Sequence, residues 1–247
     1  MYLVAIGELR GTIDDAIRPL ASDLGTTPYE LRLLFNAGLP AVVLTTVDES
    51  LARAAVAAIT RHGHTPLFCA RHDVVSSEHM TWLRDFQFSK TGLVPQAGSS
   101  DLLVYSDITV VLRATHRTTS ETTQDLKERK LNPVMAVATG GLVMSKTTTR
   151  TVTSKTAHNE PVVYIFGRNT ITPWLLKERA ARYVGLAEHL RPTSLENFAI
   201  TIRLLREHAP AAAYDERLMS SRPIRGVADG IEATDLYAHL LAIHLAR

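Results

Sequence analysis

Residues 27–45, TPYELRLLFNAGLPAVVLT, decide the reading of the fold. Thr27 can cap a helix, Pro28 suits the first turn because its missing N–H has no intrahelical partner there, and Glu30 can reach back to close a capping box. That helix should stop at Gly38, and the β-branched run Pro40 to Thr45 should follow as a strand. Working outward, Tyr2 to Ile6 is a short apolar run, and Thr12 to Leu24 has helical spacing with Pro19 placed to kink or split it. Asp48 to His62 is an alanine-rich helix ended by Gly63, and Thr65 to Ala70 is a final strand. Residues 1–72 therefore read as a β-α-α-β-α-β domain with its own start and stop signals, in a chain of the α+β class.

The order of these elements, the turn Ala37-Gly38-Leu39-Pro40 before Val42-Val43-Leu44, and Arg61-His62-Gly63-His64-Thr65-Pro66-Leu67 before the last strand resemble a known family. They are similar to the C-terminal domain of the bacterial ribosomal stalk protein and equally to the related fold of ClpS, the adaptor of the Clp protease. The resemblance covers less than a third of the chain and implies a fold used to dock other proteins. ClpS holds the amino group of a substrate's N-terminus with an Asn-Asp pair after its first strand. This chain has Gly7-Glu8-Leu9-Arg10 there, one carboxylate beside a cation, and departs from that pattern.

At 247 residues, 45% hydrophobic and 21% charged, the chain is long enough for two domains with real cores. It has no apolar run near the ~18 residues of a membrane helix, and Met1 leads directly into a strand without a basic and then hydrophobic leader, so a cytoplasmic, non-transmembrane protein is expected. One cysteine, Cys69, excludes an internal disulfide. Arginine (21) outnumbers lysine (6), which suggests a GC-rich bacterial genome. The net charge of +2 is uneven: residues 1–76 carry −2, whereas residues 113–182 carry +7. A basic middle is either a solvated face or a surface for an anionic partner such as nucleic acid or phospholipid.

A boundary is expected in Arg71 to Glu78, followed by a second domain over 79–210 that starts as antiparallel β. Trp82, Phe86 and Phe88 alternate on one strand, and Ile108, Val110, Leu112 and Ala114 on another. Thr115 to Asn132 is polar, with the charged run Asp125 to Lys130, and reads as a short helix or loop. Val134 to Ala138, Leu142 to Ser154 and Val162 to Phe166 read as three more strands. Two helices should close the region: Pro173 to about Leu190, and Ser194 to His208 with a Thr193/Glu196 capping box and Leu195, Phe198, Ile202 and Leu205 on one face. A strand meander followed by a packing helix loosely resembles a pleckstrin-homology-like domain, but a split barrel or an unrelated α+β layer gives the same pattern. The segment 211–247 reads as an extended connector, Ala211 to Gly230, and an amphipathic helix, Ile231 to Ala246. Its stripe of Leu236, Leu240, Leu241 and Ile243 either covers the second domain or docks on a partner.

Catalytic motifs are weak. Gly140 to Thr147 nearly fits a phosphate-binding P-loop, but Ser145 stands where the second glycine is needed and the following residues are strand-like. His62, His64, Cys69 and His72 crowd together without a Cys-x-x-Cys pair, so helix-end and strand roles outweigh zinc. Asp235 and His239 sit one turn apart on the last helix and read as surface. No glycine-flanked serine elbow, Rossmann fingerprint or recurring carboxylate pair appears, and no catalytic residue, metal or cofactor is assigned. The expectation is a non-enzymatic adaptor, scaffold or assembly subunit that binds another protein and can oligomerise. The alternative is an anionic-ligand module in which Lys146, Arg150, Lys155 and Arg168 share a basic face, and a third reading is an enzyme whose site is assembled from distant residues between the domains.

Overall fold

Thr27 caps its helix in the manner the sequence predicts: its hydroxyl accepts from the Glu30 N–H at 3.2 Å, and the Glu30 carboxylate accepts from the Thr27 N–H at 3.2 Å. The computed structural model describes residues 1–95, 102–131, 145–168, 170, 172–219 and 231–246, with the backbone alone described at 118–131, 145–157 and 231–232. Strand β1 (Tyr2–Glu8) leads to α1 (Ile13–Leu24), α2 (Pro28–Asn36), β2 (Ala41–Thr46), α3 (Glu49–Arg61) and β3 (Thr65–Ala70). Thr12 and Asp48 cap α1 and α3, and Gly25 in the left-handed region (φ 64°) ends α1. Pro19 does not split α1. It lies with Asp15 on the exposed side, so the Asp15 carbonyl that loses its helical donor faces solvent, where losing that bond is cheap. The three strands form an antiparallel sheet in the order β2-β1-β3. Alternation along β1 sends Val4 and Ile6 into a core with the helices, notably Leu20, Leu31 and Ile59, and sends Leu3 and Ala5 to the opposite face.

The rest departs more from expectation. The structure continues with β4 (Thr81–Trp82), β5 (Phe86–Phe88), β6 (Gly92–Pro95), β7 (Leu103–Val104), β8 (Ile108–Leu131), β9 (Ser145–Gly167), β10 (Trp174–Lys177), α4 (Ser194–His208), β11 (Ala213–Leu218) and α5 (Ile231–Leu245). A five-stranded sheet runs β11-β8-β9-β10-β4, and a small one runs β5-β6-β7. Trp82 and Phe86 thus belong to different sheets. The stretch expected as helix or loop after Thr115 is strand as far as Leu131, its β-branched threonines prevailing over the charged run. Val162 to Phe166 is the end of β9, while Val134 to Ala138 and the first residues of the Leu142 strand lie outside the described residues. The helix expected from Pro173 is β10, paired antiparallel with β9 and parallel with β4. Trp174, Leu175 and Leu176 are buried on both faces of the sheet, and such a continuous apolar run carries no period to separate strand from helix. Within the expected connector, Ala213 to Leu218 pairs parallel with β8.

Helix α5 is the organising element. Leu236, Tyr237, Ala238, Leu240, Leu241 and Ala242 are all buried, so the helix is apolar around its circumference and not along one stripe. It shares one core with Leu3, Ala5, Leu67 and Cys69 of the first sheet and with Val110, Leu112, Val162 and Leu175 of the second. Gly7 of β1 has no room for a side chain, since a Cβ there would come within 2.8 Å of His244 Nδ1. The other face of the five-stranded sheet, with Val111, Val163, Ile165 and Leu176, packs with Phe86 and Leu93 of the small sheet and with Phe198, Ile202 and Leu205 of α4. Residues 1–72 consequently do not enclose a core of their own on both faces. The compact units of the chain are Met1–His116 with Glu160–Arg247, and Arg117–Asn159. Strands β8 and β9 each have residues in both units.

Candidate functional site

Of the proposed basic face, Lys146, Arg150 and Lys155 lie on β9, in residues whose side chains are outside the description, and Arg168 is an exposed residue just past its end. The Arg168 backbone N–H donates to the Asp107 carbonyl at 2.8 Å. Leu236 and Leu240 of the proposed interaction helix are buried within their own chain, and Ile243 packs against the same core. This face of α5 is therefore occupied in cis. The near-P-loop residues Gly140 to Met144 lie outside the described residues, and Ser145 onward is strand. His62 sits 2.9 Å from the Asp23 carboxylate, His64 accepts the Arg10 N–H at 3.0 Å, and burial pushes the Cys69 thiol up to about 11, so each has a structural role.

A chain of buried polar groups, unread in the sequence, crosses the core around α5. Ser77 donates to Asp235 Oδ2 through its N–H (2.8 Å) and its hydroxyl (3.0 Å), the Tyr164 hydroxyl donates to Asp235 Oδ1 (2.6 Å), and His116 Nε2 lies 2.5 Å from that hydroxyl. The Trp82 indole N–H donates to the Ser77 carbonyl, and His239 Nε2 lies 3.2 Å from both the N–H and the carbonyl of Val75. Asp235 and His239 are thus interior groups, not a surface pair. Burial raises the Asp235 carboxyl despite its three donors, holds His239 low, and lowers His116 to about 4. The arrangement resembles acid–base chemistry on paper, yet Ser77, His116, Tyr164 and Asp235 are each no more than 2% exposed. Among the described residues these groups are enclosed, and their hydrogen bonds tie α5 to Ser77 and to Tyr164 of β9.

The surface offers a different feature. After β10 the chain runs through a 3-10 segment, Tyr183–His189, into α4. Inside it Ala187 has φ 47° and ψ −115°, a strained conformation for a residue with a Cβ. The segment is fixed on both sides. Gly185 lies so close to β5 that a Cβ would stand 1.8 Å from the Phe86 carbonyl oxygen, and Tyr183 meets the Phe86 ring edge-on at 6.2 Å. Buried Asn197 closes the far end, accepting from the Arg191 N–H (2.7 Å) and donating to the Arg191 carbonyl (2.8 Å), while the Ser194 hydroxyl donates to Glu178. Thr193 caps α4 by accepting from the Glu196 N–H at 3.2 Å, and the Glu196 carboxylate turns to the Thr193 hydroxyl instead of its backbone. From this fixed frame Val184 (73% exposed), Leu190 (46%) and Leu195 (57%) face solvent. Leu195 was expected on the packed face of α4 with Phe198, but it projects outward. Arg179, Arg182 and Arg191 are exposed close by in sequence, Arg179 lying 3.7 Å from Glu178 and Arg182 3.9 Å from Asp85, and Glu188 and Glu196 are exposed as well.

No match is found for this chain among family models, curated proteins or solved structures. A local sequence signal for the loop exists only in Gly185 and the Thr193 cap; the strain at Ala187 and the exposure of Val184 depend on β5, which is a hundred residues away in sequence.

Proposed function

We propose that this protein is a non-enzymatic protein-binding adaptor or scaffold whose docking element is the strained segment from Arg182 to Leu195. The observation that carries the reading is the combination of three exposed large aliphatic side chains with a backbone held off its preferred conformation by fixed contacts on either side. Strain of this kind costs about 1–3 kcal/mol and is kept where a defined presentation matters. A pre-ordered loop gives affinity because little freedom is lost on binding. Exposed Arg191, next to Leu190 in the segment, suits a protein segment that brings apolar side chains together with a carboxylate. The resemblance of residues 1–72 to the ribosomal stalk and ClpS domains supports the same class. A second reading, an anion-binding module through Lys146, Arg150, Lys155 and Arg168, is favoured by the charge of +7 over residues 113–182.

The test places a photo-crosslinking side chain at Val184 and, as a control, at exposed Arg53. Adducts to an acidic protein from position 184 and not from 53, lost in Val184→Asp/Leu190→Asp with an unchanged melting temperature, support the docking loop. Equal adducts from both positions, or capture of protein unaffected by the two aspartates, overturn it. Salt-sensitive retention of nucleic acid or acidic vesicles, abolished by Lys146→Glu/Arg150→Glu, supports the second reading instead.

A further inference from the structure

A cavity of about 380 Å³ opens between the C-terminal half of α4 and β11, whereas the loop described above leads into the N-terminal end of the same helix. Its volume falls at the small end of sites for organic ligands, which begin at about 300 Å³. Val111, Ala209, Pro210 and Ala212 supply apolar wall, and Arg203, Arg206, Glu207 and Tyr214 supply the polar edge. The charges do not balance. Glu216 is engaged by the Tyr214 hydroxyl and lies 3.4 Å from Arg113 Nη1. Glu207 forms an ion pair with Arg203 one turn away on α4, 3.8 Å from its Nε. Arg206 lies over the Tyr214 ring, 4.3 Å from its centroid, and among the described residues no carboxylate is within ion-pair distance of it, although, after the Tyr214 hydrogen bond, its charge helps hold the Glu216 carboxyl low.

Glu207 offsets Arg203 and the C-terminal end of α4 contributes about half a negative charge, so about half a positive charge remains, centred on Arg206. The Tyr214 ring beneath it restricts the Arg206 guanidinium, and a planar guanidinium is matched in geometry to a carboxylate or phosphate. We propose that this cavity binds a small organic anion, its carboxylate or phosphate held by Arg203 and Arg206 and its apolar body lying against Val111, Ala209 and Pro210. The inference is independent of the docking loop and stands or falls separately from it.

The experiment titrates the full chain with phenyl phosphate and with benzoate, using inorganic phosphate as the headgroup alone and benzyl alcohol as the body alone, and follows backbone and Tyr214 resonances by NMR. Saturable one-to-one binding of at least one aromatic anion is expected, about tenfold or more tighter than inorganic phosphate and than benzyl alcohol. Phenyl phosphate and benzoate together tell which headgroup is preferred. Arg203→Gln/Arg206→Gln should weaken binding at least about tenfold, and Ala212→Leu, which fills the cavity without changing charge, should do the same; both variants are checked for unchanged melting. Glu207→Gln should tighten it. Absence of saturable binding by either aromatic anion, or undiminished binding in the double arginine variant, overturns the proposal. Inorganic phosphate binding as tightly as phenyl phosphate overturns it too, because the apolar wall would then contribute nothing.

Discussion

Replacing Asp235 by leucine, and separately by asparagine, isolates what the buried polar chain contributes. Asp235 accepts three hydrogen bonds, from the Ser77 N–H, the Ser77 hydroxyl and the Tyr164 hydroxyl, at 2.8, 3.0 and 2.6 Å. Leucine leaves the buried Ser77 N–H without an acceptor, at about 1–3 kcal/mol, and its extra volume in a filled core adds about 1–3 kcal/mol. Tyr164 loses less, because its hydroxyl can turn to His116 Nε2 at 2.5 Å, and the apolar side chain returns part of the cost through burial. The expected net loss for Asp235→Leu is about 2–4 kcal/mol. Asparagine can keep every bond: its Oδ1 accepts from Ser77, its Nδ2 donates to the Tyr164 oxygen, and the Tyr164 O–H goes to His116. Asp235 has a folded carboxyl pKa raised by burial, so its ionised form is the disfavoured one. The stability it lends is present at low pH and lost as pH rises through the folded value, and a neutral amide escapes that loss. Asp235→Asn should therefore cost under about 1 kcal/mol at pH 7 and compare less well with wild type as pH falls. Urea unfolding curves at pH 7 and pH 5 measure both variants. Losses for leucine and asparagine within about 0.5 kcal/mol of one another would falsify the assignment of Asp235 as an acceptor hub.

His116 is held neutral, with its pKa lowered from 6.5 to about 4, so its stabilising contribution is complete above pH 6.5 and is lost as pH falls toward 4. At 1.36 kcal/mol per unit this amounts to about 3 kcal/mol, and His116→Gln should flatten the acid limb of the stability curve by that much in urea titrations at stepped pH. Deleting residues 231–247 should abolish the cooperative thermal transition, as should expressing residues 1–72 alone, because either leaves Leu3, Ala5 and Leu67 uncovered; a sharp calorimetric transition in the fragment contradicts the shared core. Gly185→Ala should cost about 1–3 kcal/mol or more by forcing the loop off the Phe86 carbonyl, and an unchanged melting temperature would mean the loop is not anchored there.

Residues 1–72 were legible because their signals are local. Thr12, Thr27 and Asp48 sit at helix starts and bond to backbone two or three residues on, and Gly25 and Gly63 end helices by adopting positive φ, all within reach of a short window of sequence. Trp174 to Leu176 reads as the start of a helix because a strand buried on both faces has no period, and only its pairing with Ile165, Tyr164 and Val163 makes it a strand. Asp235 and His239 read as helix surface for a related reason. A polar residue in an apolar helix is exposed in most settings, and the partners that make it an interior group, Ser77 and Tyr164, lie 158 and 71 residues away. The exposed Val184, Leu190 and Leu195 carry no sequence signature, since isolated aliphatic residues near a predicted helix read as core.

That polar chain also resolves a problem set by the composition of α5. A helix with Leu236, Tyr237, Ala238, Leu240, Leu241 and Ala242 all buried presents apolar surface in every direction, so apolar contacts alone fix its rotation between two sheets poorly. Asp235 accepting from Ser77 and Tyr164, with His239 against the Val75 backbone one turn later, defines a single azimuth, because rotation by one residue, about 100°, breaks all of these bonds together. Buried polar groups that cost stability can be retained because they select one packing among several. For this chain the hypothesis has a signature distinct from stability: Asp235→Leu should raise binding of a hydrophobic dye and broaden methyl resonances of Leu236 and Leu240 under conditions where the protein is still folded, whereas Asp235→Asn should keep sharp lines. Equally sharp spectra in both variants would show that the shapes of the side chains, and not the hydrogen bonds, set the orientation of the helix.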